Sequence, residues 1–340
     1  MSQIASFRAK LSLLTDYLDD PGITEVAINR PGEVWIGRQG QRYMQHADVP
    51  ELNYRLLESL ADVTAAYTNQ ETDRERPLLA ATMPINLAEG VDDTERGGYR
   101  VQVVRPPAVE EKTIALCIRK PTLLDIGLDQ YREQGAFDRV NETREDGDDS
   151  DERLRELYQG RAWEAFLRGA VRAHKNIVIS AGANAGKTTL LNALLKEIPQ
   201  HERIVTIEDA REIRPRQRNC LHMLYSRGGQ GVARVTAVEL LEAMLRLTPD
   251  RPIMGELRGA EAYAYLELLN SGHAGSITTI HADSPSLMYE RLSQMVMRFG
   301  AAMSRDQIIA YAKSLIQVVV QFKRAADGRR YVSEILYEGA

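Results

Sequence analysis

The sequence predicts two folds in series. A smaller α+β domain with an antiparallel sheet occupies residues 1–137. An acidic linker over 138–155 follows, and then an α/β domain over 156–340 whose mostly parallel sheet carries helices on both faces. Three observations carry this reading. In the first third, the apolar runs Leu78 to Ile85, Tyr99 to Val104 and Thr113 to Ile118 alternate with turns and have no helical segment between them, the pattern of antiparallel strands. Between Phe137 and Leu154 the chain has almost nothing to bury, the composition of a mobile, solvated connection. Beyond it, short apolar runs alternate with segments of helical periodicity, which gives a parallel sheet with ligand at the carboxyl ends of its strands.

The first domain opens with Ile4, Phe7, Leu11, Leu14 and Leu18 at spacings of three and four, an amphipathic helix ended by Pro21-Gly22. Thr24 to Ile28 and Val34 to Ile36 read as the two arms of a hairpin around Asn29-Arg30-Pro31-Gly32. Leu56, Leu57, Leu60 and Val63 return to helical spacing within Leu52 to Tyr67.

In the second domain Trp163, Phe166, Leu167, Ala170 and Val171 share a helical face, and Ile177 to Ile179 is a buried strand. Leu190, Leu191, Leu194 and Leu195 form the buried side of a helix from Lys187 to Glu197, and Ile204 to Ile207 is a second buried strand. Thr236 and Glu239 have the spacing of a capping box and open a helix that stops before Pro249. Ile253-Met254 is a strand, Ala260 to Asn270 a helix closed by Gly272, and Ser276 to Ile280 a strand. Ser284-Pro285 starts one helix, and Ser304 with Gln307 caps another. Leu315 to Phe322 and Tyr331 to Leu336 flank Asp327-Gly328, a hairpin signal.

The chemistry centres on residues 176–190, where an apolar run breaks into the small-residue loop Gly182-Ala183-Asn184-Ala185-Gly186-Lys187-Thr188-Thr189 and then into a leucine-rich helix. Small residues let backbone N–H groups turn inward around an oxyanion cluster, and the helix N-terminus adds partial positive charge. Lys187 then reaches the β- and γ-phosphates of a nucleotide, and the Thr188 hydroxyl is a ligand for Mg²⁺. The plain alternative is a glycine-rich turn with no ligand. The phosphate-loop pattern has glycine six residues before the lysine, where this chain has Ala181. A positive φ there would cost a Cβ-bearing residue about 1–2 kcal/mol, so the turn is expected at Gly182.

Hydrolysis also needs a metal ligand, a group that orients water, and positive charge at the transferring phosphoryl. Glu208-Asp209 ends the strand Ile204 to Ile207, and Glu256 follows Ile253-Met254, where a carboxylate coordinates metal or polarises water. His281, at the tip of Ser276 to Ile280, is placed to sense the γ-phosphate. The plain alternative for each acid is an exposed carboxylate beginning a loop, and for His281 a structural histidine; two acids that both end apolar strands downstream of a phosphate loop count against it. His46, His174, His201 and His222 read as ordinary, and His273 is weaker than His281.

Hydrophobic residues at 44%, charged residues at 27% and a net charge of −5 describe a globular chain with no general basic field, which disfavours direct nucleic-acid binding. The two cysteines, Cys117 and Cys220, are far apart in apolar surroundings and read as core thiols rather than a disulfide or metal cluster. No signal sequence and no run of about 18 apolar residues is present, so a cytoplasmic location is expected, with membrane association through partners.

Taken in order, Ala181 to Thr189, Arg203 to Asp209, Leu224 to Gly231, Arg246 to Arg258 and Gly272 to His281 resemble the secretion-superfamily traffic ATPases, and within them the hexameric ATPase at the base of type IV secretion and conjugation machines. The resemblance implies a RecA-like ATPase domain that binds ATP and Mg²⁺. It implies Lys187 and Thr188 in a Walker A loop, Glu208 and Asp209 in an Asp box, Glu256 in a Walker B lacking the usual aspartate, and His281 in a His box. It extends to Thr24–Trp35 and Ile118–Pro121 in the first domain, and there Arg100 and Arg119 match positions from which the family brings arginines to the nucleotide. It also implies a homohexameric ring, peripheral association with the inner membrane, and partners among the other components of the apparatus. Alternatives within reach are a pilus-retraction or type II secretion motor, a RecA-type nucleic-acid translocase, and a nucleotide-gated scaffold that scarcely hydrolyses ATP. The absence of a four-cysteine module counts against the type II assembly ATPase.

Overall fold

The computed structural model describes residues 10–84, 98–121, 127–138, 140, 150–229, 231–300 and 302–339. Ile4, Phe7, Ile85 and the acidic stretch 141–149 lie outside these. The chain builds two sheets. The first has six antiparallel strands in the order β3-β2-β1-β6-β5-β4. These are β1 (Ile23–Ile28), β2 (Glu33–Arg38), β3 (Gln45–Asp48), β4 (Leu78–Pro84), β5 (Gly98–Val104) and β6 (Ala115–Arg119). Preceding them, the expected long amphipathic helix is, in its described part, a 3₁₀ turn at Ser12–Leu14 and a short helix α1 (Thr15–Asp19). Helix α2 (Tyr54–Tyr67) starts where the Asn53 side chain accepts the Leu56 N–H at 3.1 Å, and packs Leu57, Leu60 and Ala61 onto the sheet. Gly32, with φ of 87°, closes the β1–β2 turn.

Two helices precede the second sheet after α3 (Leu128–Glu133): α4 (Ser150–Gln159) and α5 (Trp163–Arg172). Residues 150–155, read from composition as linker, are therefore the start of a helix. Its one fully buried side chain, Leu154, packs with Phe166 and Ala170 of α5, a tertiary contact that charge-rich local sequence does not announce.

The second sheet has seven strands in the order β13-β12-β7-β11-β10-β8-β9. Its members are β7 (Ile177–Ala181), β8 (Ile204–Glu208), β9 (Cys220–Leu224), β10 (Arg251–Met254), β11 (Ile277–Ile280), β12 (Val318–Arg324) and β13 (Arg330–Tyr337). All neighbours are parallel except β12–β13, the hairpin announced by Asp327-Gly328. Strands β3 and β9 were not expected; partly exposed along their length, they are edge strands, too short and polar to stand out from loops. The helices are α6 (Lys187–Leu195), α7 (Ala237–Met244), α8 (Glu261–Asn270), α9 (Pro285–Arg298) and α10 (Arg305–Leu315). Thr236 and Ser304 form capping boxes, and Ser284 accepts the Leu287 N–H at 3.2 Å.

The strand starts are pinned by buried polar groups. Asn176 donates to the Leu315 carbonyl at 2.8 Å and accepts the Ser276 N–H at 2.9 Å, tying the entrances of β7, β11 and β12. Arg251, fully buried, meets Glu202 at 2.5 and 3.3 Å. Burial pushes the Glu202 carboxyl up, but hydrogen bonds from His174 and Arg251 outweigh it and hold it at about 2. The two sheets share an apolar cluster in which Ala27, Trp35 and Cys117 meet Val205, Leu221 and Met223. Beside it, buried Arg203 donates to Asn29 at 2.9 Å and to Asn219 at 2.7 Å.

The depressed carboxyl of Glu202 gives a pH signature. Its stabilisation is fully present above the ordinary value of 4.5 and is lost as pH falls through the folded value of about 2. Urea midpoints of the wild type are therefore expected to fall between about pH 5 and 2. Glu202→Gln, measured at pH 7, is expected to cost about 3–5 kcal/mol, because it leaves the buried Arg251 uncompensated.

Candidate functional site

Strand β7 delivers the loop 182–186 to the N-terminus of α6. Ala181 is buried and stays extended, in register with Phe322 of β12. The left-handed residues are Asn184, with φ of 57°, and Gly186, with φ of 98°. The turn therefore does not fall at Gly182 as expected. The β7–β12 pairing holds the chain extended through Ala181, and the reversal is deferred to an asparagine and a glycine, which tolerate that conformation. Alanine at 181 consequently carries no backbone strain. Ala185 is buried, while Ala183, Asn184 and Thr189 are exposed along the outer rim.

Lys187, buried at the first position of α6, points its ammonium between both ring nitrogens of His281, 3.1 Å from each. His281 follows β11 and lies 3.0 Å from Oε1 of Glu256, which follows β10. The other Glu256 oxygen pairs with Arg258, and Arg258 reaches Oδ2 of Asp209 at 3.0 Å; Arg227 meets the same oxygen at 3.3 Å. A chain of polar contacts thus runs from the loop outward, Lys187 to His281 to Glu256, and then alternates in charge through Arg258, Asp209 and Arg227. Burial lowers the Lys187 pKa against the opposing pull of Glu256, and burial likewise lowers His281, again opposed by Glu256. At neutral pH His281 is accordingly uncharged and accepts from the ammonium.

The two acids of Glu208-Asp209 have different surroundings. Glu208 is buried, and its Oε1 accepts the N–H groups of Glu212 at 2.9 Å and Ile213 at 2.7 Å; burial raises its pKa. Its carboxylate braces the loop after β8. Asp209, by contrast, joins the charge chain through Arg258 and Arg227.

The metal chemistry fits in outline. The Thr188 hydroxyl has no hydrogen-bond partner among the described residues, and no cluster of three or more His, Cys, Asp or Glu side chains forms a protein cage there. Such a donor set suits a cation that takes most of its ligands from phosphate and water, as Mg²⁺ does. Glu256, held by His281 and Arg258, would have to release one of them to ligate a metal directly.

Arg100 and Arg119 lie elsewhere. They face each other across β5 and β6 and line a cavity of about 470 Å³ with Gln70, Thr82, Gln102 and Arg246. Arg119 acts electrostatically on His273, which precedes β11, whereas His281 follows that strand. The pair therefore sits toward the opposite edge of the sheet from the loop, and among the described residues no hydrogen bond or ion pair joins it to residues 182–189. Three neighbours of the loop carried no signal in the sequence. Arg258 stands two residues past Glu256, inside a box whose arginine had been given no role. Asp283 lies 3.8 Å from the Cβ position of Gly182, and the Arg330 side chain lies against Gly186. Only the folded hairpin brings Arg330 there.

The family model described as "Type II/IV secretion system protein" matches residues 155–329. The type IV secretion system protein VirB11 of Brucella suis is 37% identical, over 99% of this chain and 92% of its own. PtlH of Bordetella pertussis is 38% identical, over 98% of this chain and 95% of its own. The crystal structure of the Brucella suis VirB11 ATPase, solved in complex with sulphate, matches with a TM-score of 0.88 and 37% identity, covering 99% of this chain and 95% of that one. No helix among the described residues is long and apolar enough to cross a membrane.

The bracing role of Glu208 predicts a stability effect separable from chemistry. Glu208→Ala leaves two N–H groups at a buried site unpaired and is expected to cost about 2–4 kcal/mol in urea unfolding, while Glu208→Gln, which keeps an acceptor oxygen, costs less. Equal stability of all three proteins would remove the bracing role.

Proposed function

Because the chain belongs to the Type II/IV secretion system protein family and, within it, to the VirB11 type of type IV secretion ATPase, we propose that this motor hydrolyses Mg²⁺·ATP as a homohexameric ring bound to the other components of the apparatus at the inner membrane. The observation that carries the site assignment is the Lys187 ammonium 3.1 Å from His281, itself 3.0 Å from Glu256: two groups from strand ends converging on the lysine of one phosphate loop.

In this reading Lys187 leaves His281 for the oxygens of the β- and γ-phosphates, while the inward N–H groups of 182–187 hold the β-phosphate. Thr188 would hold Mg²⁺, whose chemistry when bound would be to neutralise charge on the phosphates. Glu256, freed from one of its two partners, orients the attacking water and takes its proton. His281, no longer engaged by Lys187, reads whether a γ-phosphate is present. Arg258 and Asp209 relay that change to Arg227 and the 225–229 segment. Glu208 acts as a positioning residue through the loop it braces.

Arg100 and Arg119 act across a subunit boundary, on the nucleotide of a neighbouring protomer. The support is their distance from the same chain's loop and the open cationic cavity they share with Arg246. Nucleotide held between parts of two protomers biases their closure by its differential affinity, and about 1.4 kcal/mol of difference shifts that equilibrium tenfold. Hydrolysis removes the bias, which is how turnover becomes movement.

Lys187→Ala is expected to abolish nucleotide binding, and Glu256→Gln to retain binding while turnover falls about 10²–10³-fold, as phosphate release would show. Mixing Arg100→Ala/Arg119→Ala protomers with Lys187→Ala protomers is expected to restore turnover in part, since a mixed ring contains intact composite sites. No restoration in a ring verified by mass measurement would place the arginines in cis.

A further inference from the structure

The β12–β13 hairpin flanks the phosphate loop on the side away from His281. Strand β7 lies between β11, which ends in His281, and β12, whose Phe322 pairs with Ala181, the last residue before the loop. Beyond that pair the hairpin runs past the strand ends, carrying Lys323, Arg324, Arg329 and Arg330 on a short stretch of chain. Its one acid near the tip, Asp327, is taken by Arg329 at 2.6 Å. Arg330, opposite Arg324 in the ladder, has no ion-pair or hydrogen-bond partner among the described residues. Its side chain instead lies flat on the loop: a Cβ at Gly186 would be 3.1 Å from Arg330 Cδ, 3.2 Å from Nε and 3.3 Å from Cζ. Position 186 is held to glycine by its φ of 98°, and the Arg330 side chain packs against the face where a Cβ would stand.

An exposed arginine with no counter-charge, lying against the residue before the Walker lysine, lacks a structural reason to be there. A phosphate oxygen in the cradle would supply one. Resting on the nucleotide-site reading above, we infer that Arg330 is a nucleotide-binding residue. It contacts the phosphates common to ATP and ADP from the flank opposite Glu256 and His281, which face the terminal phosphate. A planar fork that can meet two oxygens at once suits that role better than a point charge. Because it holds a part of the nucleotide that does not change during the reaction, Arg330 contributes uniform binding, and its effect falls on KM rather than on kcat.

The test is equilibrium binding of ADP and ATP, in EDTA, to wild type, Arg330→Ala, Arg330→Lys and Lys187→Ala, with steady-state turnover in Mg²⁺ alongside and ligand-free melting as the folding control. Arg330→Ala is expected to weaken both nucleotides by the same factor, about ten- to a hundred-fold, and to raise KM by a similar factor. Arg330→Lys is expected to recover part of the loss. Wild-type ADP affinity in a folded Arg330→Ala protein overturns the inference, as does a loss confined to ATP or one seen in kcat alone. Wild-type affinity in Lys187→Ala would instead sink the underlying reading of the loop, so the two failures are distinguishable.

Discussion

The site depends on one constraint, the parallel register of β7, β11, β10 and β8. Ser180 pairs with Ile280, Ile253 with Ile277 and Met254 with Ile207, so the four strands end at nearly the same level. Whatever follows each strand emerges at one edge: the phosphate loop after Ala181, His281 after Ile280, Glu256 after Met254, Asp209 after Glu208. The hydrogen-bond ladder therefore fixes the spacing of groups that are up to about a hundred residues apart in the chain. At the other edge Asn176 and the Glu202–Arg251 pair hold the strand entrances, so a slip of one strand would leave buried polar groups unpaired.

Electrostatics at the working edge follow from that geometry. The uncharged His281 stands between Lys187 and Glu256, and Arg258, Asp209 and Arg227 continue the chain of contacts, so a lysine is buried at a helix N-terminus without a carboxylate of its own. Its immediate partner is a histidine whose pKa is lowered, chiefly by burial. A neutral imidazole binds an ammonium less strongly than a carboxylate would. Phosphate oxygens can consequently compete for Lys187 at small cost, and the displaced imidazole stays beside Glu256. The same chain of contacts that stabilises the site in one arrangement thus gives it a second arrangement to switch into.

The first domain is fastened to the second by apolar packing over β8 and β9 and by the buried Arg203–Asn29–Asn219 contacts. These hold Arg100 and Arg119 away from the chain's own phosphate loop. In the proposed composite site, this would link the docking of the two domains to assembly.

Much of this was legible in the sequence, and the reason is local. The apolar periods, the capping residues at Thr236, Ser284 and Ser304, and the Asp-Gly turn at 327–328 each act over a few residues, so they fix element type and order without help from the rest of the chain. The small-residue run before Lys187, with acids and a histidine after buried strands, likewise marked by position alone the groups that the fold brings together. Tertiary structure decided what depends on long-range contact. It moved the loop's reversal from Gly182 to Asn184 and Gly186 through β12 pairing. It turned Glu208 toward backbone amides and Asp209 toward Arg258, made a helix of 150–155 through packing of Leu154, and sent Arg100 and Arg119 to the far edge. It also laid Arg330 on Gly186, about 140 residues away in the chain, because only sheet order makes those two neighbours.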